Sequence, residues 1–543
     1  MKFIKKLKNI FTRIKYILFL DKFTRDYIEF NKKKFSEIEN SKVNGEVLVD
    51  FFEWKPFVFF WSILSNYLCK KKNLKIKFFY LPLYENIFEK YFFFKRPLIK
   101  IYNSFGAKLA FTSCGKKITN DEKLYFEKVF KKFKSKEELL NYKYNGMLMG
   151  DLIYDSAIRS FQLPSLDIKD LKLKEKFLEA HLYYKIISKY LDNNNVKFLI
   201  PSDCVYNQYG IITRLCDERD IEVLILYNLG RGMTDFKLTR YNSKIKSNRN
   251  PYHYYKKDFN NKFKDEKKRK EALALGQKLI LNRVKGKNKK GIQYLNSNPF
   301  TKNKFAKNNL FEKNSFQVAI ILHNFFDAPH KYRNLYYCDY LDWAIDTINI
   351  LDKKKINTYI KFHPINIGKS ADDIAFHKIE KQIQGKQNFK ILDKNISYAD
   401  LIENNLKAAI TCHGTVANEL PFFGLKVINC GDNPHINYNF NIHPRSRHEY
   451  KNYIENIENL PVNINLYELY EFYFMNYYFY EQNNFKNRLK QSYLVKNNKD
   501  LNNEENIHFN DSTNYYDFII SENNRSNILD KLNAYINEYF TNT

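Results

Sequence analysis

The chain has 543 residues, of which 44% are hydrophobic and 17% aromatic, so it is neither disordered nor fibrous. At roughly 100–200 residues per domain, this length predicts two large domains, or two and a smaller appendage. The net charge of +30 would attract polyanions, although an AT-rich genome also produces a composition rich in lysine and asparagine. Because no motif of a nucleic-acid-binding module is present, nucleic acid is not an expected partner.

The seven cysteines are scattered and odd in number, which favours reduced thiols over a disulfide framework. No apolar run reaches the roughly 18 residues that a membrane span needs. The richest run, residues 57–68, is short and interrupted by serine and asparagine. We therefore expect a cytoplasmic protein that is not integral to the membrane.

Residues 2–17 predict a basic amphipathic helix. Apolar side chains recur at helical spacing from Phe3 to Ile17, and lysines and Arg13 fill the other positions. The helix would attach the protein to the anionic inner face of the cytoplasmic membrane, or it would pack on its own domain with a solvated lysine face. A cleaved signal peptide would need a longer apolar run and a small-residue cleavage site.

Between residues 45 and 230, short β-rich runs alternate with helical stretches. This alternation predicts a parallel sheet covered by helices. The predicted strands are 46–50, 74–80, 108–112, 196–201 and 222–227, and a long helix is predicted over 172–191.

The alternation resumes after a stretch rich in lysine and asparagine, which predicts a connection with exposed helices around 267–281. The second group of predicted strands is 316–322, 357–362, 389–392, 408–411 and 426–429. Strands followed by polar turns and helices predict a doubly wound sheet whose site lies at the carboxyl ends of the strands. The predicted divisions are 1–40 (basic segment), 41–240 (first Rossmann-like domain), 241–314 (connection), 315–465 (second Rossmann-like domain) and 466–543 (helical segment).

Three histidines are the clearest indication of a site, because each follows a predicted strand. They are His323, His363 and His413. The carboxyl ends of parallel strands converge on one crevice, so we expect the three to meet there, although a lone histidine at such a place is more often structural. A zinc site is not expected, since Asp327 and Cys412 complete no recognised ligand spacing.

The segment 411–420 predicts a phosphate site. A strand ends, Gly414 permits close backbone approach, and Thr415 could cap a helix whose free amide groups suit a phosphate. Glu419, just over one turn into that helix, could accept hydrogen bonds from ribose hydroxyls. An ordinary junction of strand, turn and helix has the same pattern.

Several familiar motifs are missing from the chain. There is no Walker sequence, no Gly-x-Gly-x-x-Gly, no serine elbow and no Asp-x-Asp. The sequence therefore does not favour a kinase, a dehydrogenase or a serine hydrolase. What remains is a metal-independent two-domain transferase that binds phosphate and needs no cofactor.

Dispersed blocks between residues 45 and 450 carry a family resemblance. The blocks are Gly-Asp-Leu-Ile-Tyr-Asp at 150–155 with Arg159, His-Asn-Phe-Phe-Asp-Ala-Pro-His at 323–330 followed by Asp-Tyr-Leu-Asp-Trp at 339–343, Lys-Phe-His-Pro at 361–364, and His-Gly-Thr at 413–415 with Glu419 and Gly424. They resemble bacterial capsular-polysaccharide and surface-carbohydrate glycosyltransferases of the GT-B type. The His-Pro and Gly-Thr elements are shared with capsule Kdo transferases, polysialyltransferases and CDP-glycerol-type polymerases.

The resemblance implies two Rossmann-like domains facing a cleft, with the nucleotide-activated donor held mainly by the second. In that picture His363 contacts the donor phosphate and Pro364 fixes the turn that presents it. The amides of Gly414 and Thr415 take a second phosphate oxygen, and Glu419 takes the ribose.

Glycosyl transfer needs a base for the acceptor hydroxyl and a group that stabilises the leaving phosphate. In the family picture the base comes from the first domain, and the candidates beside predicted strand ends or turns are Asp151, Asp155 and Asp203. Asp155 could equally pair with Arg159, one helical turn further on.

Four further residues join the predicted site. His323 and His330 are candidate catalytic residues at the two ends of one block, and Asp327 between them is placed to orient one of them. His413 is assigned to the donor phosphate, although it stands where the relatives often have a different residue.

We therefore predict a glycosyltransferase that moves a sugar from a nucleotide sugar onto a capsular or other surface glycan. The expected partners are a glycan or lipid-linked acceptor, the anionic membrane surface and other capsule-assembly proteins. One alternative is a polyol-phosphate or related phosphoryl transferase with a CDP-activated donor. Another is a non-catalytic, membrane-associated subunit of glycan assembly.

Overall fold

The structure is a computed structural model, and it describes most of the chain. The described residues are 22–35, 43–52, 55–82, 95–228, 236–241, 255–285, 310–331, 334–363, 369–393 and 396–479, with a few single residues elsewhere. The predicted basic helix at 2–17 and Pro364 lie outside the described residues, as does most of the predicted segment past 479.

Strands and helices alternate along the chain. The strands are β1 (Glu46–Asp50), β2 (Lys75–Tyr80), β3 (Lys108–Thr112), β4 (Lys143–Tyr144), β5 (Met147–Leu148), β6 (Val196–Ile200), β7 (Glu222–Asn228), β8 (Phe236–Tyr241), β9 (Gln317–Ile321), β10 (Asn357–Lys361), β11 (Phe389–Ile391), β12 (Leu406–Thr411) and β13 (Lys426–Asn429). The helices are α1 (Lys22–Phe35), α2 (Lys55–Lys72), α3 (Arg96–Ser104), α4 (Asn120–Phe130), α5 (Lys136–Leu140), α6 (Gly150–Phe161), α7 (Leu171–Asn193), α8 (Tyr206–Glu218), α9 (Tyr255–Lys262), α10 (Glu266–Val284), α11 (Tyr340–Lys353), α12 (Lys369–Ile383), α13 (Tyr398–Glu403), α14 (Val416–Glu419), α15 (Arg447–Glu455) and α16 (Leu466–Phe474).

The first sheet has the strand order β3-β2-β1-β6-β7-β8. Its strands pair in parallel, except that β8 runs antiparallel to β7. All five residues of β1 are buried, as expected for a central strand covered on both faces. The chain adds β2 and β3 on one side of β1 and then returns to add β6 on the other. The switch point of this sheet therefore lies between β1 and β6.

The second sheet repeats this topology with five parallel strands in the order β11-β10-β9-β12-β13. Its central strand, β9, is also buried throughout. The chain adds β10 and β11 on one side of β9, then β12 and β13 on the other. The switch point of the second sheet therefore lies between β9 and β12.

The chain divides into two compact units, each built around one sheet. The first unit takes its residues from Met1–Glu127, Phe177–Asn242 and Asn483–Thr543, and the second from Lys128–Lys176 and Ser243–Gln482. The predicted first domain, 41–240, differs from this division, because Lys128–Lys176 packs with the second sheet. The reason is a set of buried contacts made by α5 and α6, described below.

The predicted α/β class with parallel sheets is confirmed. Each of the ten predicted strands coincides with an observed one to within two residues at either end. The predictions missed β8. They also missed β4 and β5, because strands of two residues are too short to show an alternating pattern. The predicted cleft between two domains stays a prediction. Among the described residues, no helix combines the length and the apolar character needed to cross a bilayer.

Candidate functional site

The switch point of the second sheet holds two adjacent histidines. His323 lies two residues beyond the end of β9 and His413 two residues beyond the end of β12, and their ring centroids are 4.4 Å apart. His363, two residues beyond β10, lies close enough for its charge to influence the pKa of His323. The structure thus brings together the histidines that the strand pattern singled out.

His323 is held as a neutral imidazole. Its Nε2 accepts a hydrogen bond from the backbone N–H of His413 at 3.2 Å and lies 3.2 Å from the Thr411 hydroxyl. Burial, and secondly the charge of His363, lower the pKa of His323 to about 3. Because Nε2 is an acceptor, the ring carries its proton on Nδ1.

Tyr340 completes this group and was not predicted. Its hydroxyl lies 2.9 Å from Nε2 of His413, and its ring stacks on that of His323 at a centroid distance of 5.1 Å. Burial is the main cause that holds the pKa of His413 well below its usual range, and the positive charges of His323, Lys331 and His435 act in the same direction. The available signal was the position of Tyr340 directly after Asp339, an N-cap residue type at the start of a helix.

Gly414 is required by close packing around the histidines. A Cβ atom at this position would lie 2.9 Å from Thr411 Oγ1 and 3.6 Å from Cε1 of His323. The neighbouring Thr415 is exposed and makes no capping hydrogen bond, because its backbone is already helical (φ −59°, ψ −23°). The predicted cap at Thr415 is therefore wrong.

The helix that follows is short. The helix α14 has only four residues before the chain tightens into a 3₁₀ turn at Leu420–Phe423, which contains Pro421. So short a helix does not supply the amide array and dipole that the phosphate hypothesis assumed.

Glu419, predicted to hold a ribose, is buried and already has one partner. Its Oε1 accepts a hydrogen bond from Nε of Arg283 at 2.8 Å, and its Oε2 is buried with no partner among the described residues. Arg283 belongs to α10, in the stretch predicted to be a connection. One carboxylate oxygen is therefore used within the protein, and the other accepts no hydrogen bond from a described residue.

Asp155, which is buried, and His330, which is partly buried, form a pair that the sequence did not predict. Nδ1 of His330 lies 2.6 Å from Asp155 Oδ1, and the backbone N–H of His330 donates to Oδ2 at 3.2 Å. Asp155 thus pairs with His330, although Arg159 was an equal alternative. Arg159 instead approaches Asp327, with 3.7 Å between Nη1 and Oδ1, and the Asp327 side chain is largely exposed.

Electrostatics favour a charged His330. Burial disfavours the imidazolium, but the charges of Asp155, Asp151 and Asp339 outweigh it and raise the pKa of His330. Burial raises the pKa of Asp155, and His330 opposes that rise. Nε2 of His330 is buried and has no partner among the described residues. Asp151 is buried in the first turn of α6 and was predicted for the first domain, but it belongs to the second unit.

The switch point of the first sheet is acidic. Asp50 ends β1, and Oδ2 of Asp50 accepts hydrogen bonds from both the N–H, at 3.3 Å, and the hydroxyl of Ser202, just beyond β6. Burial raises the pKa of Asp50 to about 7, and the charge of Asp203 adds to the rise. Asp203 Oδ1 accepts the N–H of Cys204 at 2.7 Å. Sequence reasoning selected Asp203 but missed Asp50, which also ends a buried strand.

The described residues contain no group of three histidine, cysteine or carboxylate side chains arranged to hold a metal ion.

No protein-family model and no curated protein matches the chain. Solved structures align with it weakly. The KpsC beta Kdo 2,4 transferase of Thermosulfurimonas dismutans aligns over 51% of this chain and 79% of its own length, with 11% identity and a TM-score of 0.32. A UDP-N-acetylglucosamine 2-epimerase aligns over 85% of this chain and 98% of its own length, with 9% identity and a TM-score of 0.21. The S. aureus MnaA structure with UDP aligns over 84% of this chain and 98% of its own length, with 9% identity and a TM-score of 0.23. Alignments this weak establish neither the fold nor the activity of this chain.

Proposed function

We propose that the protein is a metal-independent glycosyltransferase that binds a nucleotide-activated sugar at the switch point of its second sheet. One observation carries the proposal: His323, His413 and Tyr340 converge between β9 and β12. In open α/β sheets this is where ligands bind. The sequence resemblance to capsular and surface-carbohydrate glycosyltransferases points to the same class of substrate.

Neutral imidazoles suit a phosphate that must be released after the reaction. Burial depresses the pKa of His323 and His413, because desolvation disfavours the charged imidazolium form. A bound diphosphate would bring negative charge to the rings. The N–H groups of the neutral rings, with the Tyr340 hydroxyl, would stabilise the negative charge that grows on the leaving phosphate.

The acceptor hydroxyl needs a proton acceptor, and the first sheet offers the better one. Both oxygens of Asp155 are engaged by His330, which leaves Asp155 poorly placed as a base. Asp50 and Asp203 lie at the switch point of the first sheet, and a carboxylate with a pKa of about 7 takes up a proton efficiently at neutral pH. Within the first unit, this pair is the best proton acceptor.

The acceptor in this proposal is a capsular or other surface glycan on a lipid anchor, and the protein works on the inner face of the cytoplasmic membrane. The support is the basic amphipathic sequence at residues 2–17. Deletion of residues 1–20 should abolish binding to anionic vesicles while activity on a short soluble acceptor persists. Unfolding of the truncated protein would instead indicate that this segment packs on its domain.

A thermal-shift panel of UDP, GDP, CMP, CDP and their sugars tests the donor site. A ligand at 100 times its dissociation constant adds about 2.7 kcal/mol of stability. We expect one nucleotide to stabilise the protein and His323→Gln to remove that effect. Lys185→Met, which breaks only an exposed ion pair with Glu122, is the control and should respond like the wild type. Full retention of the shift in His323→Gln would contradict the proposal.

A further inference from the structure

The segment between β9 and α11 presents two of the three groups at the candidate site. His323 stands at its beginning and Tyr340 directly follows its end. The described residues between them form neither helix nor strand. The relative position of His323 and Tyr340 therefore depends on whatever holds this segment.

Asp155 of α6 holds the middle of the segment. Its two carboxylate oxygens bind the ring Nδ1 of His330 at 2.6 Å and the backbone N–H of the same residue at 3.2 Å. The contact fixes both the side chain and the backbone of His330. It joins residues 175 positions apart in the chain.

Tyr154, the preceding residue of α6, holds the end of the segment. Its hydroxyl donates to Oδ2 of Asp339 at 2.6 Å, and Lys136 of α5 lies 3.2 Å from the same oxygen. The other oxygen of Asp339 caps α11, accepting the N–H of Leu341 at 3.0 Å and the N–H of Asp342 at 2.8 Å. The first turn of α11, and Tyr340 with it, is thereby fixed.

The held segment contains costly features. Ala328 has a φ of +38°, a conformation that alanine rarely adopts, and Nε2 of His330 is buried without a partner among the described residues. An unpaired buried polar atom costs about 1–3 kcal/mol. Such features persist where the surrounding structure over-determines the backbone, and they concentrate at functional sites.

We infer that α6 is a two-point clamp, in which Tyr154 and Asp155 act as positioning residues that hold Tyr340 and His323 against His413. This inference rests on the proposed function, because the clamp sets the affinity of that site for phosphate. Neither Tyr154 nor Asp155 touches the ligand. Each acts through the segment that it holds.

The close approach of α6 to α5 supports the assignment. A Cβ at Gly150, the first residue of α6, would lie 1.7 Å from the backbone oxygen of Leu139. Only glycine permits this contact, which brings α6 and the Lys136 side chain of α5 to the same carboxylate of Asp339. Side chains of both α5 and α6 therefore contribute to the clamp.

Inorganic pyrophosphate is the probe for the clamp, with affinity measured by calorimetry on the full chain. We expect Asp155→Asn to weaken binding about tenfold and Tyr154→Phe, which keeps the ring in place, to weaken it several-fold. Ser370→Ala is the matched control, because it removes an exposed hydrogen bond at the far end of α6, to Gln162, and should change nothing. Wild-type affinity in both clamp variants would overturn the inference.

A double-mutant cycle separates positioning from a general loss of stability. If the clamp acts through the histidines, Asp155→Asn and His413→Gln should be non-additive for pyrophosphate affinity. Full additivity would overturn the inference. Should Asp155→Asn fail to fold, the same cycle with Tyr154→Phe decides.

The imidazole NMR signals of His323 and His413 test the clamp without any ligand. They should move in Asp155→Asn and in Tyr154→Phe but not in Ser370→Ala. Unmoved signals in both clamp variants would count against positioning even if pyrophosphate binds. Moved signals without any binding of pyrophosphate or nucleotide to the wild type would support the clamp and sink the proposed function.

Discussion

At the switch point of the first sheet, between β1 and β6, the polar groups are Asp50 and Asp203. At the corresponding point of the second sheet, between β9 and β12, they are two neutral imidazoles and Tyr340. The same strand order therefore presents carboxylates in one unit and imidazole and phenol groups, which we propose bind phosphate, in the other. The comparison teaches that topology fixes where a site lies, while the residue that follows each strand decides its chemistry.

The two switch points should also respond oppositely to pH. When the pKa of a carboxyl is higher in the folded than in the unfolded state, the protein becomes less stable as pH rises, because the unfolded state ionises first. When the pKa of a histidine is lower in the folded state, the protein becomes less stable as pH falls, because the unfolded state takes up the proton first. These opposite signs give the comparison a direct test.

The largest effect is expected for Asp50→Asn. The pKa of Asp50 is about 7 in the folded chain against a model-compound value of 3.8, so wild-type stability should fall between pH 4 and pH 7. The variant lacks this loss and should be more stable than the wild type at pH 8 by up to roughly 4 kcal/mol. Urea unfolding at pH 4 and pH 8 measures it. If the two proteins are equally stable at pH 8, the pKa of Asp50 is not raised by burial and the two switch points do not differ in this way.

A second large effect concerns turnover. His363→Ala should lower turnover more than roughly tenfold while the fold persists, because it removes a donor from the proposed phosphate site. Steady-state rates with the sugar nucleotide identified by the thermal-shift panel give the measurement, and circular dichroism checks the fold. Lys185→Met should retain the wild-type rate. Unchanged turnover in a folded His363→Ala protein would argue against the phosphate assignment.

A smaller effect is expected in acid. Burial lowers the pKa of His323 to about 3, so the wild type should lose stability as pH falls from about 6.5 toward 3. His323→Gln removes one titrating group and should flatten this part of the curve. Thermal midpoints measured between pH 4 and pH 7 decide. An unchanged slope would mean that His323 is solvated and free to protonate.

The smallest expected effect is that of a chelator. No Asp-x-Asp is available to hold a cation between protein and diphosphate, so activity should persist in EDTA. Initial rates with and without EDTA should agree within error. If activity is lost completely in EDTA and returns with Mg²⁺ or Mn²⁺, a metal ion and not the imidazoles stabilises the leaving group.

Much of the fold was predictable because buried parallel strands are continuous apolar runs between polar turns. For the same reason His323 and His413 were predictable, since each follows such a run. Asp50 was not predicted, because it is the last residue of its strand, whereas His323 and His413 lie beyond the ends of theirs.

The pairing of Asp155 with His330 was beyond local reasoning. Periodicity reports neighbours within one helix, where Arg159 is the natural partner of Asp155. It carries no information on a contact between residues 175 positions apart. The predicted first domain therefore included α6, which packs in the second unit. The missing hydrogen bond at Thr415 has a similar origin, because the sequence shows a capping residue type but not its backbone angles.

The discontinuity of the second unit has a consequence for its biosynthesis. At about 5–20 residues per second, a ribosome needs roughly 10–35 s to travel from Asp155 to His330, 175 positions later. During that interval the partner of the buried Asp155 carboxylate has not yet been made, while strands of the first sheet are still being synthesised. The contact between Asp155 and His330 therefore cannot form until His330 has been made, and a fragment restricted to residues 243–482 would lack α6, the proposed clamp.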